Sequence, residues 1–279
     1  MGLNHLYDMV LNGEWTIERM REYASLAYMD MDGNGVMDAA DRYGAVSLKN
    51  GRVNLFLRTS GISLVTYDES RDRMRVEVSD GAMDLMQQIG ALWLEDGGTY
   101  LASSDSELYS AITEDRTLFA VDTLRRNNGA LVSMLRESDC SMYGVLPMPK
   151  TDMEQEKYLS STDTVYNVIA IIDDCEAVGV TLDTMSSYNR ENLLDVYQES
   201  LMRGLADSPE AREVLNLIFE GMTWDYLAVY DGALGNATNV LWTSAFTSGM
   251  PNSLMSTIRG NQAMVNRQLE ELEVRILKK

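Results

Sequence analysis

Histidine is almost absent from this chain of 279 residues, which contains a single one, His5. One imidazole excludes a metal site that needs two histidines from the same chain, and it leaves histidine-based acid–base chemistry to one residue near the start. Basic residues are also scarce, because 23 lysines and arginines face 43 aspartates and glutamates, for a formal net charge of −20. A chain this acidic repels nucleic-acid phosphates and anionic lipid, so both are disfavoured as partners.

Long apolar runs and common reactive-site signatures are missing as well. No stretch approaches the roughly 20 apolar residues that span a bilayer. The first ten residues, MGLNHLYDMV, have neither the basic region nor the apolar core of a signal peptide. Such a start is expected of a cytosolic protein or of a piece of a longer chain. The enzyme classes that use G-x-S-x-G, Walker A or G-x-G-x-x-G motifs lack their usual anchors here.

Apolar periodicity predicts helices that alternate with short strands. A helix is predicted from Ile17 after an N-capping Thr16, and others over 82–93, 104–113, 176–188, 191–205, 209–220 and 265–276. Strands are predicted at 43–48, 63–68, 117–122, 142–148 and 165–172, and a polar loop follows residue 150. With 45% apolar residues, the chain is long enough for two compact lobes or one large domain. The alternation favours the α/β class.

The most specific motif is DMDGNGVMDAAD at residues 30–41. Its spacing is that of a 12-residue calcium loop, whose oxygens at positions 1, 3, 5, 7, 9 and 12 surround one ion. Gly35 falls at position 6, where the backbone turns sharply, and a strand-like segment follows, so a paired sensor EF-hand is not expected. A structural Ca²⁺ is predicted, with an ion-free surface turn as the alternative. The predicted ligands are Asp30, Asp32, Asn34, the Val36 carbonyl, Asp38 and Asp41.

Tryptophan offers a second kind of candidate binding surface, because flat aromatic faces stack on sugar rings. The chain has four, Trp15, Trp93, Trp224 and Trp242. Trp93 lies on the apolar face of a predicted helix and is expected in the core. Trp242 lies in the loop-like stretch at 236–252 and is predicted to contact a ligand, with core packing as the alternative. Pairs of carboxylates are expected by chance among 43 acids, so they do not indicate an enzyme.

The two cysteines, Cys140 and Cys175, flank the predicted strands at 142–148 and 165–172. If those strands pair antiparallel with Met142 opposite Ile172, the two cysteine Cα atoms fall within disulfide range, below about 7 Å. Two free, buried thiols are the alternative. The sequence leaves both possibilities open.

Several segments, taken in order, resemble the family 1 extracellular solute-binding proteins, the capture subunits of bacterial ABC importers. The segments similar to that family are LYDMVLNGEWTIERMREYA, DMDGNGVMDAADRYG, TLFAVD, YGVLPMPK followed by QEKYLSS, VYQESLMRGLADSPEAREVLNLI and STIRGNQAMVNRQLEELEVRI. The similarity spans nearly the whole chain. It implies a two-lobe α/β fold of the periplasmic-binding-protein-like type (type II). It also implies a non-enzymatic protein that captures a solute, commonly a carbohydrate, between its lobes.

The same resemblance implies a division of the chain and a set of partners. Residues 1–140 and 205–279 are expected in the second lobe, and residues 141–204 as a return through a first lobe that is incomplete in this chain. Segments that resemble cleft linings imply ligand contacts at Asp122, Arg125 and Trp242. Permease subunits are the implied partners, and the full-length form is expected at the cell surface as an extracellular lipoprotein. Two other functions stay open: a glycoside-processing enzyme that uses two carboxylates, and a calcium-stabilised interaction module.

Overall fold

A computed structural model describes residues 3–49, 54–95, 98–124, 143–161, 175–225, 230–232, 234–247 and 254–277. The α-helices in these ranges are α1 (Leu3–Leu11), α2 (Ile17–Ala27), α3 (Asn54–Arg58), α4 (Asp80–Gly90), α5 (Asp105–Thr113), α6 (Cys175–Asn192), α7 (Leu194–Leu205), α8 (Pro209–Glu220), α9 (Ser244–Thr247) and α10 (Leu254–Leu277). Two π-helical segments cover Ala91–Glu95 and Asn239–Thr243. The strands are β1 (Tyr43–Leu48), β2 (Val65–Asp68), β3 (Arg73–Val76), β4 (Thr99–Ala102), β5 (Thr117–Val121), β6 (Ser160–Ser161) and β7 (Met222–Thr223).

Several helix ends follow directly from local sequence. Thr16 caps α2, because its hydroxyl accepts a hydrogen bond from the backbone N–H of Arg19 at 3.3 Å. Ser208 caps α8 in the same way, and a proline occupies the first turn, where its missing N–H costs nothing. That helix ends before Gly221. The helices predicted from residue 17 and over 209–220 are therefore confirmed.

A three-stranded parallel sheet in the order β4-β1-β5 organises the first part of the chain. In its register, Ala45 of β1 lies opposite Thr99 on one side and Phe119 on the other. The middle strand is buried almost throughout, as parallel strands covered on both faces are. A Cβ at Gly44 would lie 1.9 Å from the carbonyl oxygen of Ala24, so α2 packs directly on the backbone of β1.

One large core joins the two ends of the chain. Buried side chains from the beginning and from the last helices pack in the same cluster, among them Tyr7, Trp15, Val214, Val265 and Leu269. The two segments predicted for the second lobe thus share a core, while the lobe boundaries themselves stay predictions. Within the described residues, no helix is both long enough and apolar enough to cross a membrane.

The segment that follows residue 143 is tied to the start of the chain through Lys150. Its backbone N–H donates to the Trp15 carbonyl at 3.0 Å, and its carbonyl accepts from the N–H of Ile17 at 2.9 Å. Residues 143–149 join no ladder with other described residues, so the strand predicted at 142–148 is wrong there. Pro147 and Pro149 lack the N–H that a strand would donate. The strand predicted at 165–172 and Cys140 lie outside the described residues.

The short strands β6 and β7 bring two further chain segments side by side. They pair in parallel, with Ser160 opposite Met222, and the N–H of Ser160 donates to the Gly221 carbonyl at 2.8 Å. A Cβ at Gly221 would lie 2.2 Å from the carbonyl oxygen of Tyr158. Only glycine therefore allows the two backbones to approach this closely.

Helix α6 is the most exposed regular element described. None of its side chains over 176–192 is buried, although Val180, Met185 and Tyr188 are apolar or aromatic and 56–61% exposed. The helix packs chiefly against α7. The buried residues of α7, Leu201, Met202 and Leu205, lie in its C-terminal half, away from α6. Helices were predicted over 176–188 and 191–205, and both are confirmed with a break at Leu193.

Candidate functional site

The predicted calcium loop lies between α2 and β1, and it is closed at its base by paired backbone hydrogen bonds. The N–H of Met29 donates to the Arg42 carbonyl, and the N–H of Arg42 donates to the Met29 carbonyl, both at 3.0 Å. Gly33 and Gly35 adopt φ values of 70° and 71°, the left-handed region that glycine enters at no steric cost. The helix before the loop and the strand after it are placed as the sequence predicted.

Three of the six predicted ligands converge inside this loop. Carboxylate oxygens of Asp30, Asp32 and Asp41 all lie within 4.8 Å of one another. Asp41 is completely buried, whereas Asp32 is exposed. The other predicted side-chain ligands point their oxygens at the loop backbone: Asn34 Oδ1 accepts from the N–H of Val36, and Asp38 Oδ1 accepts from the N–H of Ala40. The arrangement is an oxygen-lined turn of the type that a hard cation prefers.

Backbone donors hold the Asp30 carboxylate in its charged form. Its two oxygens accept hydrogen bonds from the N–H groups of Gly35 at 2.9 Å and Gly33 at 2.7 Å. These bonds, the one from Gly35 foremost, hold the Asp30 pKa below its usual value. Burial, with the charge of Asp41 second, raises the pKa of the Tyr28 phenol, whose hydroxyl lies 3.3 Å from Asp41 Oδ2. The loop therefore concentrates negative charge at neutral pH.

Arg116 fastens the loop to the sheet. Its guanidinium donates to the carbonyls of Ala39 and Asp41 and forms an ion pair with Glu114 at 2.9 Å. Arg116 directly precedes β5, and its own carbonyl accepts from the N–H of Tyr43 at the start of β1. The loop is thus anchored at the edge of the sheet where both strands begin.

Asp122 lies at the opposite edge of the same sheet, directly after β5. In open parallel α/β sheets, ligands bind in the crevice beyond the carboxyl ends of the strands. Asp122 is half-buried there, next to Val121, whose carbonyl accepts from the Ser47 hydroxyl at 3.2 Å. Arg125, the second predicted ligand contact, lies outside the described residues.

The placement of Trp242 corrects the sequence interpretation. It belongs to the π-helical segment Asn239–Thr243, not to a loop, and it is completely buried beside Phe246 with ring centroids 5.9 Å apart. A ring with no free face cannot stack on a sugar. Ala237 and Leu241 are four residues apart, as are Trp242 and Phe246, and all four are buried, so this helical spacing was the signal for a core helix.

Sequence reasoning also missed the exposure of Trp224. Its side chain is 62% exposed, while Trp15, Trp93 and Trp242 are at most 4% exposed. The core position expected of Trp93 is confirmed. The apolar periodicity that places Trp93 in the core gives no such signal for Trp224, whose exposure is set by what the rest of the chain packs against it.

A search of the solved structures shows that this chain has the α/β fold of solute-binding proteins. The match is the maltose/maltodextrin-binding domain MalE from Bdellovibrio bacteriovorus, solved bound to maltotriose, with a TM-score of 0.57 and 14% sequence identity. The alignment covers 91% of this chain and 66% of that one, so this chain spans just under two thirds of its neighbour's length. Scans of protein-family models and of curated proteins find no match. The predicted fold class, α/β of the periplasmic-binding-protein-like type, is confirmed.

Proposed function

We propose that this protein is the substrate-binding component of a bacterial ABC importer and that it captures a carbohydrate. The observation that carries the proposal is the fold shared with a binding protein that holds maltotriose. The chain's segments that resemble family 1 extracellular solute-binding proteins, in the same order, point the same way. The net charge of −20 favours a neutral ligand over an anionic one.

The proposed mechanism is closure of two lobes around the ligand by a hinge motion. Asp122 accepts hydrogen bonds from sugar hydroxyls at the carboxyl edge of the sheet, and Arg125, three residues further on, donates to them. Closure presents a changed surface to the permease subunits, the proposed partners, outside the cell. The full-length form is proposed to be tethered there as a lipoprotein.

The function is tested by separating binding from catalysis. The protein is incubated with maltotriose, cellotriose, xylotriose and mannotriose, and both calorimetric binding and the recovery of intact sugar are measured. The proposal expects binding of at least one trisaccharide, full recovery of that sugar, and at least tenfold weaker binding after Asp122→Ala. Consumption of the sugar would establish the glycoside-processing alternative instead. Binding that is unchanged in Asp122→Ala would remove Asp122 from the site.

We also propose that the loop at residues 30–41 holds one structural Ca²⁺. Asp30, Asp32 and Asp41 already bring carboxylate oxygens together, and Asn34, Asp38 and the Val36 carbonyl lie at the spacing that completes the shell. When bound, the ion neutralises this charge and ties α2 to β1. The loop and Asp122 lie at opposite ends of β5, about 15–20 Å apart along the strand direction. The ion is therefore expected to act on stability and not on the sugar.

Terbium luminescence tests this metal site directly, because Tb³⁺ replaces Ca²⁺ at oxygen sites and is excited through nearby tyrosines. Tyr28 lies beside Asp41 and serves as the donor. We expect luminescence that Ca²⁺ competes away and that Asp41→Ala abolishes. Asp105→Ala, in the first turn of α5, is the matched acidic control and keeps the signal. Equal luminescence in the wild type and in Asp41→Ala would exclude the loop as the site.

A further inference from the structure

The acidic loop between α2 and β1 carries large apolar side chains on its outside. They are 46–58% exposed and belong to Met29, Met31, Val36 and Met37. The inside of the loop is taken by carboxylates, because oxygens of Asp30, Asp32 and Asp41 lie within 4.8 Å of one another. The apolar side chains are therefore turned toward solvent, where they forgo the stabilisation that burial would give. We call these four side chains the methionine surface.

The backbone beneath the methionine surface is closed on itself. The N–H groups of Met31 and Asp38 donate to the two carboxylate oxygens of one side chain, that of Asp41, at 3.0 and 3.3 Å. Met31 and Met37, the residue before Asp38, therefore lie on two stretches of chain that meet at one carboxylate. Two backbone hydrogen bonds at Met29 close the base of the loop. A partner that docks here finds a preformed loop, so little main-chain ordering opposes binding.

The charge around the methionine surface has one sign. Residues 26–41 include four aspartates and no lysine, arginine or histidine. Arg42 and Arg116 lie half-buried at the base of the loop, and Arg116 is paired with Glu114 at 2.9 Å. One bound Ca²⁺ would cancel two of the four negative charges, so the sign stays the same with or without the ion. Such a surface repels an anionic membrane and attracts a cationic partner.

We propose that the methionine surface docks a protein segment whose apolar side chains are bordered by lysine or arginine, as on one face of a basic amphipathic helix. Methionine is unbranched and polarizable, so a methionine-rich surface adapts to the apolar side chains of its partner. The aspartates meet the basic side chains at the border of the contact, which speeds association and selects the charge of the partner.

The position of the methionine surface separates it from the proposed sugar site. The loop lies at the edge of the sheet where β1 and β5 begin, and Asp122 lies at the opposite edge. A partner docked on the loop therefore leaves the edge at Asp122 uncovered. The inference goes beyond the proposed function and does not depend on it.

The test uses a fluorescent amphipathic peptide of leucine and lysine, with a peptide of leucine and glutamate as the charge control. Anisotropy measures the affinity of each peptide for the protein in EDTA, and we expect only the lysine peptide to bind. Replacing Met29, Met31 and Met37 by serine should weaken its binding at least about fivefold, whereas replacing them by leucine, which keeps apolar side chains, should leave the affinity within about threefold. Raising the salt from about 50 to 300 mM should also weaken binding, because screening shortens the reach of the aspartates.

Met185→Ser is the matched control, because it removes a comparably exposed methionine, 56% exposed, from α6. It should bind the lysine peptide as the wild type does. Absence of wild-type binding, equal affinity of the wild type and the serine variant, or an equal loss in Met185→Ser would overturn the docking surface. Vesicles of phosphatidylserine that bind the wild type and not the serine variant would assign the surface to a membrane instead. None of these results bears on the sugar measurements, so the docking surface and the proposed function fail separately.

Discussion

The side-chain amide of Asn266 makes both hydrogen bonds that a neighbouring strand would make to Val76. Its Oδ1 accepts from the Val76 N–H at 2.6 Å, and its Nδ2 donates to the Val76 carbonyl at 2.9 Å. Helix α10 thereby closes the end of the β2–β3 hairpin through a side chain, 190 residues away in sequence. Unpaired strand edges invite association, and here the Asn266 amide satisfies both backbone groups of the last residue of the edge, with Gln262 Nε2 as a second donor to its carbonyl at 3.1 Å.

Asn266→Ala is expected to lower the free energy of unfolding by about 1–3 kcal/mol, because it leaves the Val76 N–H without this acceptor, while the Val76 carbonyl still accepts from Gln262 Nε2 at 3.1 Å. Asn266→Asp keeps an acceptor for the Val76 N–H and loses the donor, so its loss should be intermediate. Urea unfolding measures both variants. Arg267→Ala, on an exposed side chain one position along, is the control and should change stability by less than about 0.5 kcal/mol. A loss in Arg267→Ala equal to that in Asn266→Ala would contradict the assignment.

Millimolar Ca²⁺ is expected to raise the melting temperature relative to EDTA, because an ion that binds only the native loop stabilises it by mass action. At about 100 times the dissociation constant the gain is about 2.7 kcal/mol, or roughly 5–10 °C for a chain of this size. Asp30→Ala should abolish the difference. Sugar affinity should be the same in Ca²⁺ and in EDTA at 25 °C, since Asp122 lies at the other edge of the sheet. Identical melting curves of the wild type in both buffers would refute the site.

The acid sensitivity of the metal-free loop should depend on Asp30. Its folded-state pKa is lowered by the N–H groups of Gly35 and Gly33, so its stabilising contribution is complete above the unfolded pKa of about 3.9 and is lost as pH falls through the folded value. In EDTA, the stability difference between the wild type and Asp30→Asn should therefore be constant from about pH 5 to 8 and shrink below about pH 4. Chemical denaturation across this pH range measures it. A difference that persists unchanged at pH 3 would contradict the lowered pKa.

Gly221→Ala should destabilise the crossing of β6 and β7. The new methyl group would lie 2.2 Å from the Tyr158 carbonyl oxygen, a backbone atom that cannot rotate away, and such overpacking costs about 1–3 kcal/mol. Gly179→Ala is the matched control, since no atom lies within 4 Å of its added Cβ, and in a helix alanine is favoured over glycine by about 1 kcal/mol. Thermal melts should move in opposite directions for the two variants. Equal shifts in melting temperature would show that the close approach of the Tyr158 carbonyl does not exclude a side chain at position 221.

The open surface of α6 should bind a hydrophobic dye under native conditions. Val180, Met185 and Tyr188 are 56–61% exposed on a helix without a buried side chain over 176–192, and exposed apolar surface of this kind attracts such dyes and favours self-association. Replacing Val180 and Met185 by serine should reduce both dye fluorescence and the concentration dependence of the sedimentation coefficient. Leu26→Ser, at an exposed site on α2, is the control and should leave both unchanged. Dye binding that is identical in the double variant would place the apolar surface elsewhere.

Local sequence determined the features that depend on neighbouring residues alone. Thr16 and Ser208 fix helix starts because a capping hydroxyl reaches an N–H three residues away, and Gly33 and Gly35 fix the turns of the acidic loop because each needs a positive φ. Apolar periodicity likewise found α2, α4, α5 and β1, since a buried face imposes its period on the sequence. The α/β class followed from the order of these elements.

Tertiary structure alone decided which residues meet across the chain. The 62% exposure of Trp224 depends on packing partners that no local pattern specifies. The segment at 143–149 has the apolar composition of a strand, but its prolines lack the N–H groups that a ladder needs. It is tied to Trp15 by the Pro147 carbonyl, which accepts from Trp15 Nε1 at 3.0 Å, and by the neighbouring Lys150. The pairing of Asn266 with Val76 spans 190 residues and has no trace in either segment. Such contacts depend on the folded arrangement, because an apolar ring or a backbone N–H is covered by whichever group the rest of the chain brings close to it.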